Sequence, residues 1–109
     1  MKIQQGTTSK NFWQERIPPV HKHEVEIIFS SPFMRIPHVL LSLERIDEGQ
    51  FIENSAYKQN GKPILHTVNR YDMSAQNVTN TGFILKLETW HQNMIYGYRI
   101  NWIAISDED

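Results

Sequence analysis

Apolar residues recur at every second position through much of this chain, a spacing that few structures other than a β-sheet accommodate. Val25, Ile27 and Phe29 alternate with polar neighbours, with Ile28 as the one exception. The same alternation recurs in three later segments, Val39/Leu41/Leu43 with Leu40 as an exception, Phe83/Leu85/Leu87 and Tyr98/Ile100/Trp102. Successive side chains of a strand point to opposite faces, whereas an amphipathic helix repeats about every 3.6 residues. The pattern therefore predicts at least four strands, each with one buried face.

Residues that favour turns separate these segments. They are Pro18-Pro19, Ser31-Pro32, Ile36-Pro37, Glu48-Gly49, Asn60-Gly61-Lys62-Pro63 and Asn80-Thr81-Gly82. Proline fixes φ and glycine or asparagine tolerates positive φ, as tight turns require. No segment combines helical periodicity with helix start and stop signals, and residues 50–60 are expected to form a long excursion between strands. Short strands at this spacing are typical of an all-β antiparallel sandwich or barrel.

Length and composition narrow the class of protein further. The 109 residues are enough for one core, so a single domain over residues 1–109 is expected. A formal charge of -1 gives no basic field for nucleic acid, which is therefore not expected as a partner. The absence of cysteine excludes disulfides, zinc-thiolate sites and thiol nucleophiles. Any stable assembly must be held by packing.

The N-terminal sequence has no apolar run long enough for a signal peptide, and no later run approaches the ~20 residues of a membrane helix. We expect a soluble protein without membrane insertion. It would be made in the cytoplasm, with non-classical export or incorporation into a larger particle as routes to other locations.

Strand alternation also predicts which polar and aromatic side chains face solvent. With Leu87 inward, Trp90 points outward, and with Tyr71 and Met73 inward, Arg70 points outward. An exposed indole offers a flat surface to the apolar face of a sugar ring, and a guanidinium donates several hydrogen bonds to hydroxyls. The alternatives are a tryptophan at a subunit contact and an arginine in solvent.

Two further residues lie close to Trp90 in the sequence, and the position of one of them, Tyr96, has more than one interpretation. His91 follows Trp90 directly, and Tyr96 begins the next strand after a short turn. Tyr96 shares its parity with Tyr98 and Ile100, which favours an ordinary core aromatic.

A metal site is a weaker alternative. His21 and His23 have strand spacing, and Glu26 lies three residues on, as in some metal-binding β-barrels. Histidines at the edge of a strand and exposed to solvent explain the same pattern.

Asn77-Val78-Thr79 has the form of an N-glycosylation acceptor but also fits a simple turn. No nucleophile elbow, phosphate-binding glycine loop or pair of catalytic carboxylates is present, so an enzyme is not expected.

Seven segments in a fixed order are similar to one known family. They are Phe29-Ser30-Ser31-Pro32-Phe33, Pro37-His38-Val39-Leu40-Leu41-Ser42, Arg70-Tyr71, Thr81-Gly82-Phe83, Thr89-Trp90-His91, Tyr96 and Trp102-Ile103-Ala104-Ile105. In these segments the chain resembles the H-type lectin domain, known from snail agglutinins and the C-terminal part of discoidins. The resemblance extends over most of the sequence, from about Ile3 to Ser106.

The resemblance implies a six-stranded antiparallel β-sandwich that forms trimers, in some members paired into hexamers. It implies binding of N-acetylgalactosamine- or galactose-type glycans, for adhesion or agglutination, without a metal or other cofactor. By position, the carbohydrate-binding residues would be Arg70, Trp90, His91 and Tyr96.

The chain departs from the family pattern in the loop before the second strand. Snail members use an acidic residue from this loop of the adjacent subunit, but residues 14–23 contain only Glu15 as an acid. His21 or His23 is the expected replacement from the neighbouring subunit. The alternative function is a structural or adhesion module, such as a viral tail or capsid domain, that uses the same fold for protein contacts.

Overall fold

The computed structural model describes residues 1–50, 58–59, 62–63, 71–90 and 93–108. Within these ranges the chain forms one helical turn and eight strands. The elements are β1 (Lys2–Asn11), α1 (Phe12–Glu15), β2 (Lys22–Ile28), β3 (His38–Gln50), β4 (Lys58–Gln59), β5 (Lys62–Pro63), β6 (Tyr71–Gln76), β7 (Gly82–Thr89) and β8 (Asn93–Ser106).

Six of the strands build two antiparallel sheets. The first has the order β1-β8-β3 and the second the order β2-β7-β6, while β4 and β5 pair only with each other. The inner faces of the two sheets enclose the core, which confirms the predicted six-stranded antiparallel sandwich. The long excursion expected at residues 50–60 lies mostly outside the described residues.

The core follows the predicted alternation closely. Its buried apolar residues are Phe12, Phe29, Phe33, Phe83, Leu85, Leu87, Ile95, Tyr98, Ile100, Trp102 and Ala104. Val25, Ile27, Val39, Leu41 and Leu43 pack against them. The two residues that broke the alternation are on the outer faces, with Ile28 72% and Leu40 59% exposed. Burial of each large side chain contributes roughly 1.5–3 kcal/mol relative to exposure, so this set dominates the stability of the fold.

The helical turn α1 was not predicted from the sequence. The Asn11 side chain accepts a hydrogen bond from the Gln14 backbone N at 3.1 Å and so caps the turn. Phe12 is buried beneath it. Arg16 ends the turn at φ 56°, a left-handed conformation that suits a helix C-terminus. Four residues are too few for the helical periodicity on which sequence analysis relies.

The described residues contain no helix that is long and apolar enough to cross a membrane.

Candidate functional site

Four strand ends meet at one end of the sandwich. β7 ends at Thr89, which pairs with Tyr71 at the start of β6. β8 begins at Asn93, which pairs with Gln50 at the end of β3. Trp90 lies in the connection between β7 and β8, where its carbonyl accepts a hydrogen bond from Asn93 N at 3.3 Å. We call this region the Trp90 end.

Trp90 is 42% exposed, although Thr89 and Asn93 on either side of the turn are each only 4% exposed. This exposure agrees with the outward orientation that strand alternation predicts. β6 begins one residue after Arg70, and its first residue, Tyr71, lies opposite the residue before Trp90. Met73 packs against the core as predicted, but Tyr71 is 39% exposed. Arg70 and His91 lie outside the described residues, so their roles stay predictions.

Tyr96 does not join the core, and a β-bulge explains why. Asp47 pairs with Gly97 and Glu48 pairs with Ile95, so Tyr96 is the extra residue on β8. The bulge changes the phase of the strand: Ile95 faces inward before it, Tyr98 faces inward after it, and Tyr96 is half-buried between them. Bulges commonly redirect a side chain beside a binding site. Tyr96 is therefore not the core aromatic that strand parity favours, because the bulge interrupts the alternation of β8.

Gly97 is the sequence signal for this bulge. A Cβ at this position would lie 2.9 Å from the Lys10 carbonyl oxygen of β1. A glycine inside a strand often marks a bulge or a close backbone approach. The sequence thus contained a reason to expect a change of phase beside Tyr96.

The segment before β2 holds the Trp90 end in place. The Thr89 amide donates to the His21 carbonyl at 2.7 Å. Val20 and Ile95 exchange two backbone hydrogen bonds of 3.2 and 2.7 Å. Thr89 belongs to the β2-β7-β6 sheet and Ile95 to the β1-β8-β3 sheet. The segment before β2 is therefore bonded to both sheets, one on each side of the Trp90 turn.

The two histidines of this segment differ in environment. His21 is exposed. His23 is half-buried, and its ring centroid lies 5.3 Å from that of Phe12 and 5.4 Å from that of Tyr98. Burial lowers the pKa of His23, nearby Lys10 lowers it further, and Glu15 opposes the shift. Of the two, His21 is the residue accessible to a neighbouring subunit.

This arrangement also disfavours the metal alternative. His23 faces the core while Glu26 is exposed on the outer face of β2, so the two cannot converge on one ion. In the part of the chain that the structure describes, no group of three His, Asp or Glu side chains is placed to hold a metal.

Two acidic residues at the end of β3 were not singled out from the sequence. Asp47 is exposed, whereas Glu48 faces inward opposite buried Ile95. Both carboxylate oxygens of Glu48 are buried without a hydrogen-bond partner among the described residues. Burial raises the pKa of this carboxyl above its ordinary value because the charged form is poorly solvated.

A model of the H-type lectin domain matches residues 24–105. The chain belongs to this family. The match includes Trp90, Tyr96 and the β8 bulge, so the Trp90 end lies within the H-type lectin domain.

One known protein and two solved structures are also similar to this chain. A Fuscovulum blasticum protein named ATP synthase subunits region ORF 7 is 29% identical over 92 residues, 81% of this chain and 67% of that protein. Two structures of discoidin II from Dictyostelium discoideum superpose with TM-scores of 0.67 and 0.69 at 19% identity. They cover 96% and 99% of this chain, which spans only 36% and 38% of theirs. At this identity the similarity shows the fold.

Proposed function

We propose that this H-type lectin domain binds N-acetylgalactosamine- or galactose-type glycans at the Trp90 end, as a noncovalent trimer or a hexamer, in adhesion or agglutination. The observation that carries the proposal is the presence of two outward aromatic side chains at one end of the sandwich. Trp90 is exposed in the β7–β8 turn, and Tyr96 is turned out of the core by the bulge. β6 starts there, one residue after Arg70.

Each side chain has a distinct role in the proposed contact. The Trp90 indole packs against the apolar face of the sugar ring, and the Arg70 guanidinium donates hydrogen bonds to ring hydroxyls. The Tyr96 phenol both donates and accepts hydrogen bonds at the acetamido or ring side of the sugar, the side to which the family resemblance also assigns His91. His21 of an adjacent subunit would complete the site, because it is exposed in the segment bonded to Thr89.

Oligomerisation is part of the proposed mechanism. A shallow sugar site of this kind typically has a dissociation constant near millimolar, equivalent to about -4 kcal/mol. A trimer that engages two or three glycans at once gains roughly 10²–10⁴ in avidity without a new contact. The chain has no cysteine, so packing between subunits must hold the assembly.

The proposal is tested by retention on galactose and N-acetylgalactosamine resins. We expect Trp90→Ala and Arg70→Ala to abolish retention while the fold and oligomer persist, as measured by circular dichroism and analytical ultracentrifugation. The matched controls are Ile28→Ala and Arg35→Ala, which remove an exposed apolar residue and an exposed arginine at the opposite end of the sandwich. Both controls should be retained like the wild type.

Full retention of both site variants would rule the proposal out. A glycan array without a hit, together with a stable noncovalent assembly, would instead support the structural or adhesion module.

A further inference from the structure

The bulge at Tyr96 also determines what lies beside that residue on the outer face of the β1-β8-β3 sheet. Asp47 is directly opposite Gly97, and a Cβ on Gly97 would lie 3.8 Å from the Asp47 Cβ. Directly paired residues of antiparallel strands point to the same face. Ile95 and Glu48 point inward, so Tyr96 and Asp47 both point outward.

Asp47 is accessible to a ligand, whereas Glu48 beside it is buried and two other acids nearby are paired. Glu44 pairs with the Arg99 guanidinium at 3.0 Å and accepts from the Asn101 amide at 3.2 Å. Glu15 pairs with Lys10 at 3.6 Å. Asp47 is exposed and makes no ion pair or side-chain hydrogen bond with any residue that the structure describes. Its two oxygens can therefore accept hydrogen bonds from hydroxyl groups.

We propose that Asp47 is a further sugar-contact residue, whose carboxylate accepts hydrogen bonds from two neighbouring hydroxyls of a glycan that rests against Tyr96. This inference depends on the proposed lectin function and adds a residue to its site. The loop at residues 14–23 contains only one acid, Glu15. Asp47 would supply an acidic group from the same chain that carries Tyr96. A carboxylate selects ligands by hydroxyl position, because each misplaced or missing hydroxyl leaves an acceptor unpaired.

The test compares Asp47→Asn with Glu26→Gln, which removes an exposed carboxylate from the outer face of the other sheet. Affinity for methyl galactoside and for N-acetylgalactosamine is measured by isothermal titration calorimetry on the intact oligomer. We expect Asp47→Asn to weaken binding roughly tenfold to hundredfold, as for loss of a charged hydrogen-bond acceptor. Glu26→Gln should bind like the wild type. Both variants should keep the wild-type melting temperature, since both side chains are exposed.

A series of monodeoxy sugars provides a second readout that a merely structural role would not change. The sugar lacking the contacted hydroxyl should bind the wild type more weakly than the parent sugar does, but should show no such loss against Asp47→Asn. Wild-type affinity in Asp47→Asn, with binding still lost in Trp90→Ala, would overturn the role of Asp47 and leave the proposed function standing. No sugar binding by the wild type would overturn both.

Discussion

Replacement of Gly97 by alanine tests whether the bulge presents Tyr96. The added Cβ would meet the Lys10 carbonyl oxygen at 2.9 Å and the Asn11 Cα at 3.6 Å. Both are backbone atoms of β1, so the clash cannot be relieved by rotation of a side chain. Overpacking of this kind costs roughly 1–3 kcal/mol. For a domain of about 100 residues, each kcal/mol lowers the melting temperature by about 4–8 °C.

The same displacement should reach the site. Gly97 is adjacent to Tyr96 and opposite Asp47, so a shift of β8 away from β1 changes how both side chains are placed. We expect affinity for galactose-type sugars to fall about tenfold, the equivalent of one lost hydrogen bond. The measurements are thermal unfolding followed by circular dichroism, and sugar titration at a temperature where the variant is fully folded.

Gly6→Ala provides the matched control. Its Cβ would lie 2.7 Å from the Trp102 ring, in the same sheet but at the middle of β1 and away from the bulge. We expect a similar loss of stability with unchanged sugar affinity. Wild-type affinity in Gly97→Ala would refute the idea that the bulge orients Tyr96, and an unchanged melting temperature would refute the packing argument.

Three further predictions concern stability. Leu85→Ala removes a fully buried side chain and should lower the free energy of unfolding by about 2–5 kcal/mol in urea titration. Asn11→Ala removes the cap of α1 and should cost about 1 kcal/mol by the same assay. Stability should fall in two steps on acidification, measured by melting temperature against pH. The pKa of His23 is lowered in the folded state, so the unfolded chain binds the proton first and stability declines as pH falls below about 6.5. The pKa of Glu108 is lowered by hydrogen bonds from the Met34 amide and the Ser106 hydroxyl, so its contribution is lost below pH 4.5 as the carboxylate protonates. His23→Gln should remove the first step alone, and persistence of that step would contradict the assignment.

The sequence predicted β7 well and β8 only in part. Every second residue of β7 is buried from Phe83 to Thr89. In a strand without a bulge, alternate residues of the sequence point to opposite faces, so the apolar pattern gives the buried face directly. In β8 the same alternation holds from Tyr98 to Ser106, but before the bulge it runs in the opposite phase, with Asn93 and Ile95 buried. Parity is a local rule, whereas the bulge is fixed by the register of β8 against β3. Gly97 signals an irregularity in β8 but does not specify that register.

β1 shows a different limit of the sequence pattern. It pairs with β8 along all ten of its residues, yet its inward positions include Lys2, Gln4 and Lys10 rather than apolar residues. Lys2 extends to the molecular edge, where its Nζ donates to the Pro32 carbonyl at 2.6 Å and lies above the Phe33 ring. Long side chains can bury their stems and keep a polar tip near water. An edge strand of this composition is held mainly by backbone pairing, which hydrophobic alternation does not detect.

The position of the Trp90 end depends on both sheets together. The β7–β8 turn crosses from one sheet to the other, and the Val20–Ile95 and His21–Thr89 hydrogen bonds hold its two sides. The inner faces of both sheets meet at buried Phe83, Leu85 and Ile100. A core substitution that changes their spacing therefore also moves the end of β7 before Trp90 and the strand that carries Tyr96. Avidity multiplies the affinities of several sites, so a small loss at each site has a larger effect on multivalent binding. A moderately destabilised core variant should therefore lose agglutination before it loses binding of a single free sugar.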